Sequence, residues 1–517
     1  MSLSRRHLLH AAGLATLAPA LPGCAGPAPP LDQPHLANGF APVPDELDLA
    51  ELPVRGEIPR DLAGTWLRNG PNPAYQPISY VYPWDGDGMV HALRFRDGKV
   101  AYANRFIATK RLAMERQAGH ALFGSLMRPA KVEEGSLPPG TTRRDTMHLA
   151  NTSVVHHAGK TLALWEGGLP YELDAQLATR GEYDFGGRLR GAMTAHPKFD
   201  PATGEMLVLR YAPQPPFLSF GSVNAAGEMT RMEVLATDQP YMVHDFICTR
   251  RYAVFVLCPV LFGPQFAGLQ ANGTVRGPVA WEPGLGTRIA VLDRQAAPGA
   301  GPWRPPAGAM PAPGATSGPR PIERPAAPLR WFSAEAFFTF HFLNAFERDG
   351  RIHVDQVRYP ALPGQGFPQL PSLWRLTLNL ADGSTSETQL DDRRCEFPRI
   401  DGRRAGLPNR FGWLPVKTAA GGDTVFPAIA RYDLDRGEVA VHDFGAGQEV
   451  DEPAFLPRPG GTTEGDGWIL TYVYDRATDR SRAVLLDAID IAAPPLAEIS
   501  LPRRVPHGLH GNWLVAA

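Results

Sequence analysis

The sequence predicts an all-β fold of the β-propeller kind, and three observations carry that prediction. Short runs of β-prone residues recur along the chain, at Thr161–Trp165, Met206–Arg210, Ala253–Leu257, Arg288–Leu292 and Ile352–Arg358. Turn signals separate such runs: Asp97-Gly98, Asp349-Gly350, Asp382-Gly383 and Asp435-Arg436-Gly437. Glycine and proline each number 53 in 517 residues, a balance that favours many short strands over long helices. With 44% hydrophobic residues the chain can bury a large core. A propeller builds one unit of this length from many small sheets, so length alone does not divide it into domains.

Taken in order, residues 1–24 read as an export signal. Ser4-Arg5-Arg6-His7-Leu8-Leu9 is similar to the twin-arginine consensus, and an apolar run too short to span a membrane follows to Leu21. Leu21-Pro22-Gly23-Cys24 is similar to a bacterial lipobox, which would make Cys24 the lipidated first residue of the mature chain; simple cleavage near Ala25-Gly26 is the alternative. The expectation is an exported bacterial protein, periplasmic or a membrane-anchored lipoprotein. Residues 25–38 form a Pro-rich tether, and the propeller is expected over 39–517.

Within that unit, Ala428–Leu434 with Glu438–Phe444, and Trp468–Tyr474 with Ser481–Asp487, read as hairpins. Residues 107–129 place Ile107, Leu112, Met114, Leu122, Phe123, Leu126 and Met127 at mixed helical spacing, which predicts helices packed on one face of the sheets. Residues 295–328 are dominated by Pro, Ala and Gly and read as a loosely held insertion between two strands.

A net charge of -2 without basic clusters argues against a nucleic-acid partner. The four cysteines, Cys24, Cys248, Cys258 and Cys395, have no zinc spacing and read as separate thiols.

Four of the fifteen histidines stand in contexts worth grouping. His341 sits in Phe338–Glu347 among four phenylalanines, where alternation places it on the face of Thr339 and Leu343, opposite Phe340 and Phe342. His196 precedes a Pro-Lys-Phe-Asp turn, His244 follows an apolar pair, and His510 lies between Gly508 and Gly511 near the chain end. Singly, each has an ordinary reading: a turn cap, a donor to Asp245, a buried hydrogen-bonded ring, a tail residue. Ligands so widely spread converge only if distant strands meet, as the inner strands of a propeller do on its axis.

These contexts, in this order, resemble the carotenoid cleavage oxygenase family. The resemblance runs from about Asn38 to Ala517. It includes Gly39–Val43, Gly56–Thr65, Arg68–Asn72, Trp84–His91, Ala150–Thr152, Ala163–Gly168, Cys395–Arg399 and Gly508–Trp513.

The resemblance implies a seven-bladed β-propeller with a helical and loop cap over one face and Fe(2+) on the axis. His196, His244, His341 and His510 would be the ligands, with Glu166, Glu396 and Glu452 behind the imidazoles of His244, His341 and His510. A carboxylate there fixes the tautomer and makes the metal-facing nitrogen more basic. Thr152, Trp165 and Phe340 would line an apolar tunnel to the metal, although core packing is an equal reading for Trp165 and Phe340. The 107–129 segment would form part of the cap and, with Cys24, a membrane contact. His91, His148, His156 and His157 fall in family-like segments without matching ligand positions.

The implied activity is oxidative cleavage of one C=C bond of a carotenoid or apocarotenoid, with an apolar substrate and O2 as partners. Stilbene cleavage is the alternative. Stilbene cleavers of this family use a lysine and a tyrosine on the phenol; Met147–Thr152 offers no lysine, while Tyr102 could supply the tyrosine. Isomerisation without oxygen and a non-catalytic pigment-binding propeller are the remaining readings.

Overall fold

Turn chemistry and alternation build the sheets hairpin by hairpin. Asp97 and Gly98 both take positive φ, 52° and 76°, so they close the tight turn joining Gly88–Arg96 to Lys99–Phe106. Asp349 and Gly350 do the same, at 51° and 70°, between Phe338–Arg348 and Arg351–Tyr359. The two predicted hairpins form as Ala428–Asp433 with Glu438–Asp443, and Gly467–Asp475 with Arg480–Asp487. The computed structural model describes residues 34–80, 83–126, 128–132, 135–263, 279–304, 322–363, 371–418 and 425–515. The signal at 1–24 and most of the tether lie outside the described residues.

Seven sheets form the blades of a β-propeller, as expected. Six inner edges are Gly511–Val515, Ser153–His157, Lys198–Phe199, Ile247–Cys248, Phe338–Arg348 and Ala454–Pro457. In the seventh blade the segment Cys395–Arg399 bridges to the inside of Phe411–Val416. The ring closes where the C-terminal strand Gly511–Val515 pairs antiparallel with Gly64–Pro71, from Arg68↔Gly511 to Gly64↔Val515. A second tie pairs Val54–Gly56 with Ala497–Ser500. Side chains between neighbouring blades form the core; Trp66, Trp413, Trp468 and Phe255 are all buried. Burying each large apolar side chain is worth about 1.5–3 kcal/mol, so the wedges between blades hold the ring together.

Three expectations are corrected. Among the described residues of the 107–129 segment only Lys110–Ala118 (α1) is helical, capped by the Thr109 side chain and ended by Gly119 at φ 76°. The rest of that segment's described part is irregular chain. A second short helix, Arg143–Met147 (α2), starts at a Thr142/Asp145 capping box and packs beside α1.

The 295–328 insertion is not wholly loose. Glu323–Pro325 adds a parallel edge strand to Met229–Val234, where a proline is tolerated because one side of the strand needs no donor. Residues 305–321 lie outside the described residues.

The strand carrying His341 does not alternate strictly. Its register against Arg351–Tyr359 shifts twice, between Thr339 and Phe342 and between Phe342 and Asn344, so extra residues bulge around the histidine. As a result His341, Phe342, Leu343 and Asn344 all line one cavity. Cys248, Cys258 and Cys395 are free and buried, as the sequence suggested.

Candidate metal centre

Each inner edge delivers one residue to the axis just before, or within, its strand. Thr152 precedes Ser153–His157, His196 precedes Lys198–Phe199, and His244 precedes Ile247–Cys248. His341 lies in the bulged strand, Glu396 in the bridging segment, Glu452 before Ala454–Pro457 and His510 before Gly511–Val515. The arrangement follows from topology: seven edges converge, so residues far apart in sequence meet.

The four imidazoles cluster. His196 stands 4.5 Å from His244, 5.2 Å from His341 and 4.4 Å from His510 between ring centres, and His341 stands 4.8 Å from His510. One ring nitrogen each of His196, His341 and His510 lies within 4.8 Å of the others, a group able to hold a metal ion. The Nε2 atoms of His196 and His244 are 3.0 Å apart. Imidazole nitrogens bind ions such as zinc at about 2.0–2.1 Å, and two such ligands at right angles stand about 3 Å apart, so the spacing fits a shared ion.

Three imidazoles are backed by carboxylates. Glu166 Oε2 lies 2.7 Å from His244 Nδ1, Glu396 Oε2 2.6 Å from His341 Nδ1, and Glu452 Oε1 2.7 Å from His510 Nδ1. The hydrogen bonds of Glu396 and Glu452 place the proton on Nδ1 and turn the Nε2 lone pairs of His341 and His510 toward the axis, and Glu166 stands in ion-pair contact with His244 Nδ1. The Nε2 atoms of His341 and His510 are buried and have no protein partner. Buried nitrogens are rarely left so, and a metal ion would satisfy both. The donor set therefore fits an ion with affinity for neutral imidazole.

The electrostatics agree. Burial and the neighbouring imidazoles of His510, His244 and His341 hold His196 well below its usual range. Burial lowers His510 to about 4 against the opposing pull of Glu452. Burial works against ionisation of Glu452, yet Arg399 and His510 bring it down to about 2. Glu166 and Glu396 stay below the usual carboxylate range despite burial, because His244 and His341 stand beside them. Burial also pulls His244 down, but Glu166 more than offsets it, so the net shift is upward.

A cavity of about 250 Å³ reaches His196, His341 and His510. Its walls are residues that follow each histidine along the inner strands, including Lys198, Asp200, Asp245, Thr249, Asn344 and Asn512. It is lined from several inner strands by polar and apolar side chains alike, with Val155, Leu207, Phe342 and Phe397 among the latter. Thr152, Trp165 and Phe340 do not line it, so it is not the apolar tunnel expected from sequence. Phe340 packs edge-on to His244 at 5.2 Å, Trp165 lies 5.2 Å from His148 and over Gly167, and the Thr152 carbonyl accepts from His510 N–H at 3.0 Å.

Several neighbours were not singled out from sequence. Tyr359 O–H donates to Glu396 at 2.9 Å, and Arg399 donates to Glu452 at 2.7 Å. Phe397 takes φ 51° beside Glu396, which lets its N–H donate to that carboxylate. Arg399 ends the quoted Cys395–Arg399 motif, which was the available signal. Asp245 pairs with Lys198 at 2.7 Å, and it is Glu166 that stands against His244 Nδ1, at 2.7 Å. The remaining family-like histidines bond elsewhere: His91 to Tyr102, His148 to Leu169, His156 to Thr161 and His157 to Asn224. The Tyr102 hydroxyl is thereby engaged in the core, away from the cavity.

Residues 40–309 and 318–515 match the family described as retinal pigment epithelial membrane protein. The chain belongs to this family, that of the carotenoid cleavage oxygenases. It is 33% identical to an isoeugenol monooxygenase of Pseudomonas nitroreducens, over 93% of this chain and 98% of the relative. It is 30% identical to the apocarotenoid-15,15'-oxygenase of Synechocystis, over 92% of this chain and 95% of that one. The solved lignostilbene dioxygenase of Pseudomonas brassicacearum superposes with a TM-score of 0.81 at 29% identity, covering 94% of this chain and all of that one. The protein is accordingly an oxygenase enzyme.

Proposed function

We propose that His196, His244, His341 and His510 bind one iron(II) ion, and that the enzyme cleaves one C=C bond of a carotenoid or apocarotenoid with dioxygen. The observation that carries this reading is the convergence of imidazole nitrogens with two buried Nε2 atoms lacking any protein partner. Bound iron would supply dioxygen activation, at positions that four imidazoles leave open. Glu166, Glu396 and Glu452 orient the imidazoles and hold their Nδ1 protons. Phe340, half-buried against His244, offers an aromatic face to a flat polyene, with Thr152 and Trp165 as further substrate neighbours.

The second reading is cleavage of an aryl alkene. It is favoured by the similarity to the isoeugenol monooxygenase and the lignostilbene dioxygenase. Against it stand the missing lysine in Met147–Thr152 and the engagement of Tyr102 with His91. The deciding experiment is aerobic turnover of the iron-loaded protein with an apocarotenal, a hydroxystilbene and isoeugenol, with products identified by mass and His341→Ala as control. Aldehydes from the apocarotenal alone support the leading reading; cleavage of the aryl alkenes alone replaces it with the second.

We further propose that residues 1–24 direct export, that Cys24 carries lipid and that residues 25–38 tether the propeller to the membrane surface, where the cap adds contact. Replacing Arg5 and Arg6 by lysine should hold the protein in the cytoplasm, and Cys24→Ser should release it from the membrane fraction. Unchanged fractionation of both variants would refute this.

A further inference from the structure

The three carboxylates behind the imidazoles are not equivalent. Glu396 accepts from neutral donors, the Tyr359 hydroxyl at 2.9 Å and the Phe397 N–H at 2.5 Å. Glu166 has the Tyr211 hydroxyl beside it. Glu452 instead accepts from a guanidinium: Arg399 Nη2 donates to its Oε2 at 2.7 Å. The same nitrogen donates to the Gly511 carbonyl at 2.7 Å, while Gly511 N–H donates back to Glu452 Oε2 at 3.0 Å. Arg399, Glu452 and Gly511 thus form a closed ring of hydrogen bonds, to which His510 is tied through the other Glu452 oxygen. The Arg399 backbone is itself fixed by two bonds to Trp413, at 2.9 and 2.8 Å. Its side chain lines the axial cavity.

We propose that Arg399 is a positioning residue that holds bound iron in the ferrous state, by sharing the Glu452 charge and by setting a permanent positive charge behind His510. The inference rests on the metal reading above. An arginine stays protonated at any working pH. A fixed positive charge near the ion disfavours the loss of an electron from it. Sharing the carboxylate also reduces the basicity that Glu452 lends to His510 Nε2, which again favours the lower oxidation state. His244 and His341, backed by carboxylates with neutral hydroxyl and amide neighbours, lack this arrangement, so the effect belongs to one blade.

The test uses the full chain as wild type, Arg399→Met, Arg399→Gln and Arg399→Lys. Cobalt(II) bound per chain is measured first, because cobalt(II) reports the site without redox change. The iron-loaded proteins are then titrated with ferricyanide, which takes one electron per iron, and the ferric signal is followed by electron paramagnetic resonance. At the wild-type midpoint, the ferric-to-ferrous ratio should rise by about tenfold or more in Arg399→Met and Arg399→Gln. Arg399→Lys, which keeps the charge, should stay close to wild type. If the methionine variant does not fold, the glutamine variant carries the test, since its amide still reaches toward Glu452. Neutral variants that bind one ion and titrate at the wild-type midpoint overturn the proposal. A wild-type chain that binds no ion refutes the metal reading itself, which is a different outcome.

Discussion

His507 and His510 lie three residues apart in one buried segment, and their surroundings assign them opposite chemistry. His507 has carboxylates on both ring nitrogens: Asp451 at 2.7 Å from Nδ1 and Glu449 at 2.5 Å from Nε2. Against the cost of burial, these two push it from an ordinary 6.5 to about 9, so it is a cation. His510 has one carboxylate, Glu452, and a bare Nε2 facing the axis. It is neutral and ready to bind a metal. Burial is common to both; His507 has an acceptor on each ring nitrogen, whereas His510 keeps one nitrogen free and shares its surroundings with other imidazoles, as a candidate ligand must.

The His507 cluster is a clamp on chain closure. Asp451 also pairs with Arg68 at 3.0 Å, Glu449 with Arg476, and His507 N–H donates to the Gly39 carbonyl at 2.7 Å. A Cβ at residue 39 would fall 2.3 Å from His507 Nε2, so only glycine fits there. The turn at Asn38–Phe40, the C-terminal segment and the strand Gly64–Pro71 are pinned together three residues before the candidate ligand.

The contrast can be broken from either side. The largest effect is expected from His510→Ala, which should abolish stoichiometric metal binding and turnover while leaving the unfolding midpoint near wild type, measured by elemental analysis and denaturant titration. His507→Ala should do the reverse. It leaves buried carboxylates short of a cation and should cost about 3–5 kcal/mol of stability, with metal stoichiometry retained in the folded protein.

A pH series sharpens the same point. Because its folded pKa is raised, the stability His507 contributes is full below about pH 6.5 and is lost as pH rises through about 9. Denaturant titration should show a loss of about 3 kcal/mol between pH 6 and pH 10, absent in His507→Gln. Glu452→Gln should weaken metal affinity by about 10–100-fold, read by competition with a chelator. The smallest effect is expected from Tyr359→Phe. It removes one hydrogen bond from a neutral donor to the Glu396 carboxylate, worth about 1.5–3 kcal/mol in all, of which the part felt at the metal should lower affinity by about fivefold in the same assay.

The hairpins were legible because alternation and Asp-Gly turns are local signals, and they appear where the sequence predicted them. The closure was not, since Gly64–Pro71 and Gly511–Val515 carry no mark of each other. Glu323–Pro325 was hidden by its proline-rich setting, and the bulges around His341 by a run that looks strictly alternating. Context could group the axial histidines, but only the resemblance gave them a shared ion, because no local spacing links positions spread from 196 to 510. Arg399 and Tyr359 stood in readable segments, but their partners come from other strands, so their roles depend on the ring being closed. His507 was passed over because its Glu449 and Asp451 partners lie more than fifty residues away.

The central claim is that four imidazoles bind one ion through their Nε2 atoms. X-ray absorption of the cobalt-loaded protein tests it most directly. The account predicts one cobalt per chain with four nitrogen neighbours at about 2.1 Å, reduced to three in His510→Ala if any metal remains. A site with oxygen donors from Glu166, Glu396 or Glu452 in the first coordination sphere, or no bound metal, would contradict it.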